Sequence, residues 1–364
     1  MAIRPSTIRD IDTPAAIIDL DAVKRNIQTM ADYLRQTPVH IRPHVKTHKT
    51  PQIAQLQIAA GAPGVTSAKV GEAEAMVAGG VRDVLIANQI TGPLKIDRLV
   101  KLAQQARVAV AVDDPANVDD LAAAARAAGV TIGVVVEVET GMTRCGVLPG
   151  QPAVDLARRV ADRPGLEFRG LMGYEGHTVG VLDRAEREAK ALAALQGVLE
   201  TKARCEAAGL PVRDVTGGAT NTYDITSRLP GWTELQCGTY ATMDANYRRH
   251  VGHVFQQAFW VLASVISRPA KDRAILDCGL KSVTREASGA PVIDDPEGLE
   301  LAGLSEEHGK VLLHPGAPDL KVGDRVRVTP WHGCTTFNLH DRLYVLQDDE
   351  VVDLWGITGR GRFT

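Results

Sequence analysis

Lys46 stands within Arg42-Pro43-His44-Val45-Lys46-Thr47-His48-Lys49-Thr50, where two histidines and a second lysine crowd positive charge around one primary amine. Neighbouring like charge and partial burial both favour the neutral amine, the form that attacks a carbonyl. Such a lysine suits a Schiff base with an aldehyde cofactor. The same nine residues can also be read as a solvated basic loop or a phosphate-binding surface, and spacing alone leaves those readings open.

Other stretches carry chemistry of their own. Thr216-Gly-Gly-Ala-Thr-Asn-Thr222 is a glycine-rich turn whose backbone N–H groups and hydroxyls could cradle an anion, although many Gly-Gly pairs are only turns. Gly141-Met-Thr-Arg144-Cys145-Gly146 and Gly173-Tyr174-Glu-Gly-His177 each close an apolar run, where loops carry function. A surface salt bridge is the alternative for Arg144, and a structural loop histidine the alternative for His177. Cys145 reads as packing. In Pro330-Trp331-His332-Gly333-Cys334 the two donors are two residues apart. In a strand they would share a face and could both reach one ion. Imidazole plus thiolate suits zinc, and other first-row ions can use the pair. Chance also produces such pairs.

Alternating strands and helices must position these residues. Val39 and Ile41 precede the Lys46 stretch, and a helical run follows it. Ala15–Leu20 reads as a short strand, after which Asp21 is placed to cap a helix bearing Val23, Ile27, Met30 and Leu34. Buried parallel strands are expected at Val65–Ala68, Val84–Ala87, Val108–Val112, Ile132–Val138, Phe168–Gly173 and Val212–Val215. Helical segments such as Asn117–Ala128 and Arg184–Ala208 separate them and end at glycine. About eight such repeats match a (β/α)8 barrel, spanning 21–245. An open doubly wound sheet is the runner-up, weakened because no Gly-x-Gly-x-x-Gly follows the first strand. After Asn246 the pattern changes to strands and turns at Trp260–Ser267, Ala274–Asp277, Arg325–Val328 and Leu343–Leu346. A mostly β domain is therefore expected from 246–364 together with 1–20.

The 364 residues are 45% hydrophobic and 23% charged, enough for one large or two ordinary domains. A formal net charge of −3, with dispersed basic residues, argues against a nucleic-acid partner. No apolar run is long enough for a membrane span, and Met1–Ser6 lacks a signal-peptide core. Five scattered cysteines point to reduced thiols and a cytoplasmic protein.

The Arg-Pro-His-x-Lys-Thr-His-Lys stretch, preceded by Asp12-Thr13-Pro14 and Asp19-Leu20-Asp21, resembles the opening of the fold-type III pyridoxal phosphate enzymes. Within them it is similar to the D-threonine aldolase and D-serine dehydratase branch, whose barrel is shared with alanine racemase. The resemblance implies that Lys46 carries pyridoxal 5′-phosphate, that Arg144 contacts its phenolic oxygen and that Tyr174 lies beside its ring. It implies a 5′-phosphate site at Gly218 and Thr220 and at Gly238, Thr239 and Tyr240. It also implies a divalent metal on His332 and Cys334 (zinc or manganese, or magnesium). His177 is the candidate base.

The reaction expected is retro-aldol cleavage of a D-β-hydroxy-α-amino acid such as D-threonine. Dehydration of D-serine or D-threo-3-hydroxyaspartate is the alternative. The His-x-Cys pair is dehydratase-like, whereas Met-Asp244-x-x-Tyr247 and Thr336–Asp341 are aldolase-like. A racemase and a non-enzymatic cofactor carrier are disfavoured, the carrier because such proteins lack the second β domain. Family members are often dimers, so a homodimer is expected.

Overall fold

A computed structural model describes residues 6–364. Residues 1–5, which begin the segment expected to join the β domain and the N-terminus read as lacking a signal peptide, lie outside the described residues. The chain divides into two compact units. One runs to Thr29, takes in Thr47–Thr50 and resumes over Thr239–Arg360; the other comprises Met30–Lys46, Pro51–Gly238 and Gly361–Thr364. These limits differ from the expected 20/21 and 245/246 boundaries. The start of the helix Leu20–Leu34 goes with the first unit, because the Asn26 amide exchanges hydrogen bonds of 2.7 Å with the Gln256 backbone. That helix is capped by Asp19, which accepts from Ala22 N–H at 2.8 Å, and not by Asp21.

The first unit opens with β1 (Ala15–Asp19). The second is built on parallel strands β2 (His40–Ile41), β3 (Val65–Ser67), β4 (Asp83–Gln89), β5 (Arg107–Val112), β6 (Ile132–Glu137), β7 (Leu166–Gly173), β8 (Asp214–Gly217) and β9 (Glu234–Leu235). Their order is β2-β9-β8-β7-β6-β5-β4-β3. A parallel bridge between His44 and Thr66 joins the two ends, with Val45 N–H donating to Thr66 O and Thr66 N–H to Pro43 O. The result is a closed barrel rather than a doubly wound sheet. Leu85, Ala109, Ala111, Val135 and Met172 form one of its apolar clusters. Valine-rich runs are suited to strands buried on both faces. Asp114 caps the helix Pro115–Ala128, which ends at left-handed Gly129, and Asp183 caps Arg184–Ala207.

The remaining strands are β10 (Phe259–Ala270), β11 (Arg273–Leu276), β12 (Leu299–Leu304), β13 (Gly309–Leu313), β14 (Arg325–Val328), β15 (Arg342–Gln347) and β16 (Glu350–Gly356). They form one sheet with β1, in the order β12-β13-β11-β10-β1-β15-β16, with β14 also on β10. Val261, Ala263, Val265, Leu276, Val311 and Val326 lie in its core. The strand that the two-residue spacing of His332 and Cys334 suggests does not form there. Gly333–Phe337 is a short helix with His332 at its N-cap. Among the described residues, no helix is long and apolar enough to cross a membrane.

Candidate active site

Each candidate residue of the barrel follows the C-terminal end of a strand, the face on which barrel enzymes build their sites. After β2 the chain enters the Lys46 loop. Arg42, His44, Thr47, His48 and Lys49 are buried and Lys46 half-buried, so this is not a solvated basic loop. His44 anchors it: its N–H donates to Cys237 O at 3.1 Å, and its ring nitrogen accepts from Lys46 N–H at 3.4 Å. The Lys46 amine lies 5.8 Å from the centre of the Tyr174 ring, which follows β7. The Arg144 guanidinium, in the loop after β6, lies 5.4 Å from the same ring centre.

Arg144 is oriented by Glu137 at 3.3 Å, and Glu137 also accepts from Gln89. Burial pushes the Glu137 carboxyl up, against the opposing effects of Gln89 and Arg144. Burial, then Glu137 and Asp113, also raise the Cys145 thiol, which fits packing rather than nucleophilic chemistry. His177 sits in the short 3-10 turn Gly176–Gly180. Its imidazole is exposed beside Gly141, and among the described residues no hydrogen bond orients it.

The glycine-rich turn after β8 is held from below. Glu175, fully buried, accepts from the hydroxyls of Thr222 (2.6 Å) and Thr226 (2.7 Å). Asn221 donates to the Thr178 hydroxyl at 3.3 Å. Gly217 packs so tightly that a Cβ would come within 1.8 Å of Gly173 O, and Gly218 has φ +84°. Thr220 is buried beside them. Among the described residues, the N–H groups of Gly218, Asn221 and Gly238 donate to no backbone acceptor. An amine, an aromatic ring, a guanidinium and a turn with uncommitted N–H groups are a donor set that fits pyridoxal phosphate. Sequence reasoning missed Glu175 and Glu137. For Glu137, a lone carboxylate ending a valine run was the available signal.

In the other unit, Thr239 and Tyr240 begin a 3-10 turn. The Tyr240 ring is buried edge-on against Phe255, 5.8 Å between centres. His332 and Cys334 come together there through the helix N-cap instead of a strand face, with the thiol in hydrogen-bond contact with the imidazole. Burial works against the imidazolium, but Cys334 and Asp244 outweigh it and hold His332 well above its ordinary range. Asp244 accepts from His332 Nδ1 at 2.9 Å, and Tyr247 stacks on the imidazole at 5.9 Å. The Cys334 sulfur lies 3.5 Å from the Thr47 hydroxyl.

Among the described residues no group of three or more His, Cys, Asp or Glu side chains is arranged around one ion position. The donor set is therefore one imidazole and one thiol, backed by a carboxylate. It fits a divalent ion that draws its other ligands from substrate and water.

A parallel barrel with an amine, arginine and aromatic at its strand ends, in a chain with a separate β unit, defines a fold-type III pyridoxal phosphate enzyme. Comparison with known proteins gives the particular family. Residues 18–246 match the alanine racemase N-terminal domain, and 258–346 a serine dehydratase domain. The D-threonine aldolase of Arthrobacter sp. is 38% identical over 96% of this chain and 93% of its own. The crystal structure of D-threonine aldolase from Filomicrobium marinum is 40% identical, with a TM-score of 0.96 over 100% of this chain and 99% of that one. The D-threo-3-hydroxyaspartate dehydratase of Delftia sp. strain HT23 is 31% identical over 96% of this chain and 98% of its own. A cysteine variant of a dehydratase of that name is solved in a metal-free form, 30% identical, with a TM-score of 0.85 over 96% and 98% of the two chains. The chain belongs to the D-threonine aldolase and D-serine dehydratase family, a family of pyridoxal phosphate-dependent lyases.

Proposed function

We propose that this enzyme cleaves D-β-hydroxy-α-amino acids between Cα and Cβ, releasing glycine and an aldehyde, with D-threonine as the first substrate. The observation that carries the reading is the convergence of the Lys46 amine and the Arg144 guanidinium on the Tyr174 ring at the barrel's strand ends. Pyridoxal phosphate, when bound, supplies a sink for the electron pair left at Cα. Lys46 holds it covalently, Arg144 and Tyr174 orient its ring, and the Gly218–Thr220 turn with Gly238, Thr239 and Tyr240 donates N–H groups to its phosphate. A divalent ion on His332 and Cys334 would supply Lewis acidity at the substrate's β-hydroxyl. His177 takes the proton from that hydroxyl.

A second reading rests on Cys334. The thiol is the dehydratase-like member of the pair, and a soft ion held by His332 and Cys334 would supply Lewis acidity for loss of the β-hydroxyl, with the Lys46 amine as the base at Cα. The products would then be a keto acid and ammonia. Zinc is the preferred ion in either reading because a thiolate favours softer ions, with manganese next and magnesium last. A cytoplasmic homodimer acting on free amino acids completes the proposal.

Stereochemistry and metal dependence test it together. Cofactor- and metal-loaded protein should release glycine from D-threonine and none from L-threonine. Exhaustive chelation should stop the release, and zinc or manganese should restore it. Glycine from the L isomer, or release unaffected by chelation, contradicts the proposal.

A further inference from the structure

Asp244 ties three elements together. Its Oδ1 accepts from Tyr247 N–H at 2.8 Å and caps the helix Ala245–Val251. Its Oδ2 accepts from Gly333 N–H at 3.0 Å and contacts His332 Nδ1 at 2.9 Å. The carboxylate is fully buried. Both Asp244 oxygens accept backbone N–H groups, so the side chain is an acceptor towards Nδ1 as well, and Nε2 is the nitrogen left to ligate. The Gly333 bond fixes the start of the short helix that bears Cys334, so one side chain sets both the ring's nitrogen choice and the sulfur's position.

We infer that Asp244 is a positioning residue for the metal site, orienting His332 so that Nε2 faces the ion and fixing the Gly333–Cys334 turn. This rests on the reading of His332 and Cys334 as metal ligands. It adds a dependence on a buried carboxylate 88 residues upstream of the histidine. Outer partners of this kind raise ligand basicity, and their loss typically weakens metal binding about 10- to 100-fold. Asparagine has one carbonyl oxygen and cannot serve Tyr247 on one side and His332 with Gly333 on the other.

The test uses full-length protein, metal-depleted and then titrated with zinc against a chromogenic chelator. Asp244→Asn should weaken zinc binding about 10- to 100-fold and lower the thermal midpoint, because buried donors lose their acceptor, while pyridoxal phosphate affinity stays near that of the parent protein. Zinc affinity within twofold of the parent overturns the inference. So does a loss of pyridoxal phosphate affinity as large as the loss of zinc affinity, which would mark a purely structural role. As a measurement independent of the variant, zinc-loaded parent protein labelled with 15N-histidine should show His332 protonated at Nδ1 and metal-bound at Nε2. Metal at Nδ1 overturns it as well. If the parent protein binds no zinc at all, the reading of His332 and Cys334 as ligands fails, and the inference with it.

Discussion

At the residue scale, the proposed chemistry turns on Lys46. Its amine is half-buried above the Tyr174 ring, and no described hydrogen bond of the barrel depends on its side chain. Lys46→Ala should therefore fold with an unchanged thermal midpoint but retain no covalently bound cofactor after borohydride reduction. Parent protein should yield one labelled peptide, the one containing Lys46. A label on the Lys49 or Lys69 peptide would reassign the role. Lysine, arginine and tyrosine were picked out through the resemblance of their motifs to the family; their places after apolar runs alone left a basic loop and a surface salt bridge open. Glu175 and Asp244 were not legible as supporting groups. Their value lies in hydrogen bonds to residues 47 and 89 positions away along the chain, Thr222 and Gly333, and spacing carries no trace of that.

At the scale of elements, most strands announce themselves by valine-rich runs, but β9 does not. It is two residues long and contains Glu234, buried between Arg42 at 2.7 Å and His40 at 2.8 Å. Burial alone would raise this carboxyl, yet the hydrogen bond from His40 and the charge of Arg42 bring it down to about 2. A depressed carboxyl stabilises the fold above its unfolded value, roughly 4.3, and that contribution is lost as pH falls towards about 2. Glu234→Gln should be less stable than the parent protein at neutral pH by about 3 kcal/mol, because Arg42 loses a buried partner. The gap should narrow between pH 5 and 2. Thermal midpoints across that range check it, and parallel curves would contradict the assignment. The region around His332 failed in the opposite way. A two-residue spacing suits a strand, but Asp244 accepts from the Gly333 amide and the chain turns into a helix there. Strands β12, β13 and β16 were missed because few of their positions are fully buried, which leaves a weak version of the strand pattern.

At the scale of the whole molecule, the barrel carries the Lys46 amine proposed to hold the cofactor and the glycine-rich turn proposed to hold its phosphate, and the β unit carries a histidine–thiol pair backed by a buried carboxylate. The barrel segment matches the alanine racemase N-terminal domain and the β segment a serine dehydratase domain, so the proposed reaction rests on what the β unit adds. Its ligand pair leans towards dehydration, while its flanking residues and its full-length aldolase relatives lean towards cleavage. The distinction is visible in products. D-Threonine incubated with cofactor- and zinc-loaded protein can yield glycine and acetaldehyde by Cα–Cβ cleavage, or 2-oxobutanoate and ammonia by loss of the β-hydroxyl. Both pairs should be quantified in the same sample. The account predicts glycine and acetaldehyde, in equal amounts, as the major products; 2-oxobutanoate and ammonia in excess would contradict it.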